Sequence, residues 1–365
     1  MIKEPLKQIL ESTRYRWDSD HYRPVVRDNF NRMINCRTLA LGAEVFASDS
    51  EEKIVAHTCK SRSCPSCGHR ATALWQREQW TDLPDIPYAG LVFTMPDALW
   101  PIFRQNRHLL YDLPRLGAAV IQQLLKAQYG VQVLILVVEH TFGRSLTFNP
   151  HLHILVSAGG LQKETGQWVD NLLFDRNKLM QMWRYAVITF LRRALKAKVL
   201  KSDRSASQLQ TIFTAQYERW WNIDVAHFKT KWQFLRYAGR YVRRPPIAQH
   251  RFEKITGGVV EFWRKDLKVK KLVLTSYPIE QFVSLLAEHV HDRYRHAIRY
   301  FGLLAPVAKH RTSAAMFMLL GQEKQARPRR LSWRNALRKD FNFDPLLDSR
   351  GREMSWVRRL RPRPV

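Results

Sequence analysis

The chain has 365 residues, enough for two or three domains, and carries 60 Lys and Arg against 32 Asp and Glu, a formal net charge of +28. With 45% hydrophobic and 12% aromatic residues it can build ordinary packed cores, which excludes a disordered chain, a collagen-like fibre and a disulfide miniprotein. The longest clean apolar run, Ala314 to Leu320, is far short of the roughly twenty residues a bilayer needs, and Met1 to Leu6 holds no export segment.

A cytoplasmic protein is therefore expected. Its charge calls for a nucleic-acid backbone as partner, ahead of an anionic membrane surface or a ribosome-type structural role.

The chain opens with helical periodicity from Leu6 to Tyr15. The four cysteines follow: Cys36 alone, then Cys59, Cys64 and Cys67 in a stretch ending Cys-Pro-Ser-Cys-Gly. A Cys-x-x-Cys turn aims both thiolates inward, and Cys36 and Cys59 would complete a tetrahedral zinc site, with His57 and His69 as substitutes. Such a site is closed and structural. A redox pair or free buried thiols are the alternative, which the reducing environment of an intracellular chain disfavours.

Beyond Pro84 and Pro87, Tyr88 to Met95 reads as a buried strand stopped by Pro96. Helical periodicity runs from Asp97 to Gln128, broken near Pro114. Val131 to His140 and Leu152 to Ser157 read as strands, the second ending at Gly159-Gly160. Asn171 to Leu200 is an amphipathic helix, and Trp221 to Phe228 a strand. Lys231 to Arg244 is a helix stopped by Pro245-Pro246. Val259 to Trp263 and Lys271 to Thr275 form a hairpin, and Pro278 to Tyr300 a further helix. The end is basic, with Arg327, Arg329, Arg330, Arg334, Arg338, Lys339, Arg358, Arg359, Arg361 and Arg363. Strands interrupted by helices predict an α+β fold with a central, mostly antiparallel sheet and flanking helices.

Asn149-Pro150-His151-Leu152-His153 carries the first catalytic signal. Residues two apart on a strand share a face, so His151 and His153 project together, which suits a divalent metal. An antiparallel return would bring His140 beside them, leaving open positions for phosphate oxygens and water. Glu139 then points to the opposite face and is not assigned to the metal. Alone, a His-x-His pair is more often structural than catalytic.

The second signal is Phe234 to Arg244, where Tyr237 and Tyr241 stand one helical turn apart among Arg236, Arg240, Arg243 and Arg244. Arginines hold phosphates bidentately, and a tyrosine hydroxyl is a competent nucleophile at phosphorus when a metal polarises the scissile group. Taken alone, the two tyrosines would read as amphipathic residues capping a core.

Together these segments resemble the HUH-class (His-hydrophobic-His) rolling-circle transposases, specifically the two-tyrosine insertion sequence ninety-one family. The similarity runs from roughly Pro24 to Pro306. It rests on Cys36-Arg37-Thr38, Cys59 to Gly68, Val92 to Pro96, His140 to Gly143, Asn149 to His153 with Gly159-Gly160-Leu161, Tyr237 to Pro246, and Arg299 to Gly302. Relatives often carry an extra Cys-x-x-Cys where this chain reads Ala47-Ser48-Asp49-Ser50-Glu51, so one zinc is expected. The resemblance implies a sheet whose metal-bearing strands face the tyrosine helix. It also implies cleavage and rejoining of single-stranded DNA at mobile-element ends through a 5′-phosphotyrosine link, with Mg²⁺ or Mn²⁺ on His140, His151 and His153.

The expected organisation is a zinc-binding module over 1–82, a catalytic domain over 83–312 and a basic DNA-binding extension over 313–365. The expected partners are single-stranded DNA of transposon ends and target, with host replication factors as further candidates and no membrane. A bacterial, nucleoid-associated location is expected, and the oligomeric state stays open, a monomer included. Two other classes fit the residues: a replication initiator or relaxase of the same chemistry, and a non-enzymatic zinc-containing DNA-binding protein.

Overall fold

The computed structural model describes residues 4–266, 269–326 and 331–362, with positions 69, 340 and 341 as backbone. Arg327, Arg329, Arg330, Arg363 and the His69 side chain lie outside the described residues. Three helices open the chain: α1 (Pro5–Ser12), α2 (Arg14–Trp17) and α3 (Pro24–Ile34). The hairpin β1 (Ala43–Ala47) and β2 (Glu52–Ala56) leads through the cysteine turn into α4 (Pro65–Asp82). Next come β3 (Tyr88–Phe93), α5 (Trp100–Gln105), α6 (Leu113–Tyr129), β4 (Val131–Phe142), β5 (Phe148–Gln162) and β6 (Trp168–Val169). After α7 (Arg176–Lys196) and α8 (Ala206–Ala215) follow β7 (Ile223–Phe228) and α9 (Lys231–Val242). The remainder comprises β8 (Phe252–Thr256), β9 (Val259–Lys265), β10 (Leu272–Pro278), α10 (Ile279–Glu288), β11 (Ile298–Gly302), α11 (Pro306–Leu319), α12 (Trp333–Phe341) and β12 (Ser355–Leu360).

The central sheet has the order β11-β4-β5-β3-β7, with β6 on β5, and every pairing in it is antiparallel. β4 and β5 are almost continuously buried because both faces of the sheet are covered. One face, bearing Leu91, Ile135, Val137, Ile154 and Val156, joins a core with α6 and α7. The other, bearing Tyr88, Leu136, Val138 and Leu155, packs on Phe234, Leu235, Ala238 and Val242 of α9. This is the α+β architecture that the order of elements predicts.

A separate core joins the N-terminal helices and the cysteine turn to β9 and α10. Leu6, Ile9 and Phe30, together with Cys36, Cys59 and Cys64, pack with Val260 and Phe262 of β9 and Phe282 and Leu286 of α10. The cysteine turn thus shares its apolar interior with the sheet β10-β9-β8. At the far end, β12 pairs antiparallel with β1.

Some local expectations need correction. Pro278 to Tyr300 is not one helix: α10 ends at Glu288, Tyr294 takes a left-handed φ of 62°, and Ile298 to Gly302 pairs as β11 with β4. A β-rich Ile-Arg-Tyr-Phe segment meets an open strand edge there, and the ladder outweighs helical continuation. β5 also runs through Gly159-Gly160, whose missing side chains admit Trp168 and the Gln132 carbonyl at distances no Cβ would tolerate. The long helix over Asn171 to Leu200 is shorter, starting where Asp175 caps the amides of Asn177 and Lys178.

Candidate active site

The four cysteines converge. Cys36 follows α3, Cys59 follows β2, Cys64 is the N-cap of α4 and Cys67 lies in its first turn. Their sulfurs are 3.7 Å (Cys36–Cys67), 3.6 Å (Cys59–Cys67) and 3.9 Å (Cys36–Cys64) apart. Zinc–sulfur bonds of about 2.3 Å in a tetrahedron put sulfurs about 3.8 Å apart, so the residues fit structural zinc. The amides of Cys59 and Ser61 donate to Cys36 Sγ and Cys59 Sγ, each at 3.4 Å, which disperses thiolate charge. His57 is engaged elsewhere, 3.1 Å from the Leu41 carbonyl and 3.3 Å from Glu44 Oε1.

The three histidines form the second cluster. In the β4–β5 ladder His140 stands opposite His151, and Val138 opposite His153, so all three rings emerge on the α9 face. One nitrogen from each lies within 4.8 Å of the others. His151 Nδ1 is 2.8 Å from the Asn149 carbonyl, which can only accept, so Nε2 keeps its lone pair. That Nε2 faces His153 Nε2 at 3.2 Å, while His153 Nδ1 is buried with no hydrogen-bond partner among the described residues. His140 Nε2 donates to the Tyr241 carbonyl at 2.8 Å, leaving Nδ1 as its lone-pair nitrogen. Burial holds all three rings neutral at physiological pH, taking His151 down to about 4. Crowding by the other imidazoles adds to the effect at His140 and His153. Buried, neutral, converging imidazole nitrogens fit a divalent cation, and three such ligands would leave coordination positions for oxygen.

α9 lies across this cluster. Its start is fixed by the Thr230 cap and by the buried Lys231 ammonium, which donates to the Trp80 and Leu83 carbonyls at the end of α4. Gly239 permits the close α4 crossing: a Cβ there would sit 2.5 Å from Gln76 Nε2. The Tyr241 ring stacks on His153, centroids 3.9 Å apart and planes at 23°. Tyr237 follows at 4.9 Å from Tyr241, seated over Gly90. Burial, then the neighbouring Tyr241, pushes the Tyr237 hydroxyl pKa upward.

The arginines divide. Arg240 lies 4.8 Å from the Tyr237 ring and 6.0 Å from that of Tyr241. Arg244 is close enough to Tyr241, His151 and His153 to act on their charge. Arg236 instead covers the exposed Trp232 at 5.2 Å, and Arg243 lies toward Arg62 and Tyr300. Glu139 faces away from the metal cluster, as the strand alternation predicts, and forms a buried pair with Arg295. Sequence reading missed Asn149 as the residue that orients His151 and Phe142 as the ring stacked 4.9 Å from His140. Asn149 stood within the histidine motif, which was a usable signal. Phe142 had none.

Comparison with known proteins assigns the class. A family profile described as "Putative transposase" matches residues 135–312, and one described as "Transposase zinc-binding domain" matches residues 6–95. The transposase for insertion sequence element IS801 from Pseudomonas savastanoi pv. phaseolicola is 31% identical over 316 residues, spanning 82% of this chain and 76% of that protein. "Putative transposase y4qJ" from Sinorhizobium fredii is 29% identical over 308 residues, spanning 80% and 77%. The first profile covers the histidine–tyrosine cluster and the second the cysteine turn, which is the signature of a transposase with a zinc-binding module. The chain belongs to the IS91 family of transposases. No helix among the described residues is long and apolar enough to cross a membrane.

Proposed function

We propose that this transposase cleaves and rejoins single-stranded DNA at the ends of a mobile element through a 5′-phosphotyrosine link. The observation that carries the reading is Tyr241. Its ring lies on His153 and its carbonyl accepts from His140, so the phenol belongs to the same cluster as the three imidazoles. A divalent ion held by His140, His151 and His153 would supply the positive charge that offsets charge building on the phosphate oxygens. Three imidazoles favour Mn²⁺ over Mg²⁺, which prefers oxygen ligands.

Tyr241 Oη attacks phosphorus, the bond from phosphorus to the 3′ oxygen breaks, and the tyrosine proton passes to that oxygen. The products are a 5′-phosphotyrosine and a free 3′-hydroxyl. Arg240 and Arg244 counter the charge that builds on the phosphate oxygens. Tyr237, one turn away, serves the second strand. Reversal of the step with a different 3′-hydroxyl joins donor to target without external energy.

End-labelling tests the reading. With Mn²⁺ and single-stranded end DNA, a 3′ label should travel with denatured protein, while a 5′ label should leave on a fragment ending in a 3′-hydroxyl. Release of both labels free of protein would replace this reading with hydrolysis.

A further inference from the structure

Beside the tyrosine helix lies a pocket of about 390 Å³ of which the chemistry above uses only Arg244. Arg144, Arg244, Arg251, Arg264 and Lys265 line it, with Trp263 as its aromatic wall. It is built by parts that hold the site itself. Arg144 sits in the turn joining β4 to β5, between His140 and His151, and Arg244 follows α9, its amide donating to the Tyr241 carbonyl at 3.4 Å. The opposite wall is the edge of β9 and β10.

Arg251 fixes the pocket's shape, donating to the Arg144 carbonyl at 2.7 Å and to the Trp263 carbonyl at 2.8 Å. Arg264 is paired with Asp266. Among the described residues no carboxylate pairs with Arg144, Arg244, Arg251 or Lys265. Burial and the facing Arg244, Arg144 and Arg264 draw the Arg251 guanidinium down to about 10, which records how crowded with positive charge the pocket is. Such a concentration of cations is stabilised by an anion, and an indole on its wall suits the face of a base.

We propose that this pocket binds a backbone phosphate of the single strand next to the scissile one, with Trp263 stacking on the adjoining base. It deepens the proposed function, on which it rests, by naming where the strand leaves the catalytic cluster. Double-stranded DNA offers no base face to Trp263, so the pocket also contributes to strand selectivity.

The test uses the full chain carrying Tyr237→Phe and Tyr241→Phe, so that binding is read without cleavage. The probe is a labelled oligothymidylate of about twelve nucleotides, within the usual site size for such proteins. Arg144→Glu with Lys265→Glu, both exposed, should raise Kd at least tenfold and flatten the log–log salt slope by about 0.7 for each phosphate no longer neutralised. Trp263→Ala should weaken the single strand about five- to a hundredfold and leave duplex affinity unchanged. Thermal melting checks that the variants stay folded. Unchanged Kd and slope in folded variants would overturn the pocket. Failure of the parent with intact tyrosines to form any covalent adduct would instead overturn the proposed function, and the binding result would still decide the pocket.

Discussion

His289 shows how one buried side chain joins elements that sequence distance separates. Fully enclosed, it places Nε2 2.8 Å from the Leu146 carbonyl and Nδ1 3.2 Å from Thr141 Oγ1, tying the β4–β5 turn to the end of α10. Burial lowers its pKa from about 6.5 to about 4. Below pH 6.5 the unfolded chain takes up this proton while the folded chain does not. Stability should therefore be level above pH 6.5 and fall as pH drops toward 4, by an amount on the order of 3 kcal/mol from this residue. Urea unfolding at several pH values should show that decline, and His289→Gln should make it shallower by this residue's share while the buried His140, His151 and His153 keep the rest. At the metal cluster, His153→Ala should abolish Mn²⁺ binding in calorimetry and adduct formation, with DNA affinity kept within about threefold. A variant that cleaves normally would remove the metal assignment. Residue types at this scale were legible where spacing alone aligned them: His151 and His153 two apart on a strand, Cys64 and Cys67 three apart in a turn. Arg144, Arg251 and Trp263 were not, because only the folded β9–β10 edge brings them together.

At the scale of elements, Gly239 against α4 and Gly90 against the sheet set the position of the tyrosine helix. A Cβ on Gly90 would lie 2.7 Å from Tyr237 Cε1 and 3.1 Å from Phe228 Cε2, so β3 must stay bare for the Tyr237 ring to rest on the sheet. Gly90→Ala should cost about 1–3 kcal/mol by overpacking, read by thermal melting, and should suppress adducts at Tyr237 more than at Tyr241. Zinc acts on elements too. Because Cys36, Cys59 and Cys64 share a core with β9 and α10, removing the metal should loosen those distant elements along with α1 and α3. Cys64→Ser should lower zinc from about one per chain, and hydrogen exchange should report faster opening in α10. Strong periodicity made α9, β3 and β4 legible. The Pro278–Tyr300 stretch misled because an amphipathic start continued into residues whose strand partner, β4, lies far away in sequence.

Across the whole molecule, charge is more structured than a count suggests. In the basic C-terminal segment, Arg334 pairs with Asp344 and Glu353, Arg358 with Glu52, and Arg359 with Glu44, while β12 completes the sheet that β1 begins. Part of the surplus expected to bind DNA is thus engaged in folding the segment back on the N-terminal hairpin. The pairs of the exposed Arg358 and Arg359 are individually weak, so DNA can compete for those guanidinium groups. Arg144, Arg244, Arg251 and Lys265, which pair with no carboxylate among the described residues, cluster instead beside α9 and the β4–β5 turn, next to the histidines. Overall fold class was readable from the alternation of strands and helices. The shared core between the cysteine turn and the β8–β10 sheet was not, since it joins segments some two hundred residues apart by packing alone.

If Tyr237 and Tyr241 carry the covalent link, Arg240 makes it directly measurable. Trypsin cuts after Arg236, Arg240 and Arg243, which separates the two tyrosines into the peptides 237–240 and 241–243. Wild-type protein is incubated with single-stranded end DNA and Mn²⁺, digested with nuclease and trypsin, and analysed by mass spectrometry. The account predicts a nucleotide adduct on peptide 241–243, and on 237–240 when a second strand is supplied. Adduct mass on any other tyrosine peptide, such as those holding Tyr294 or Tyr300, with both of these unmodified, would contradict it.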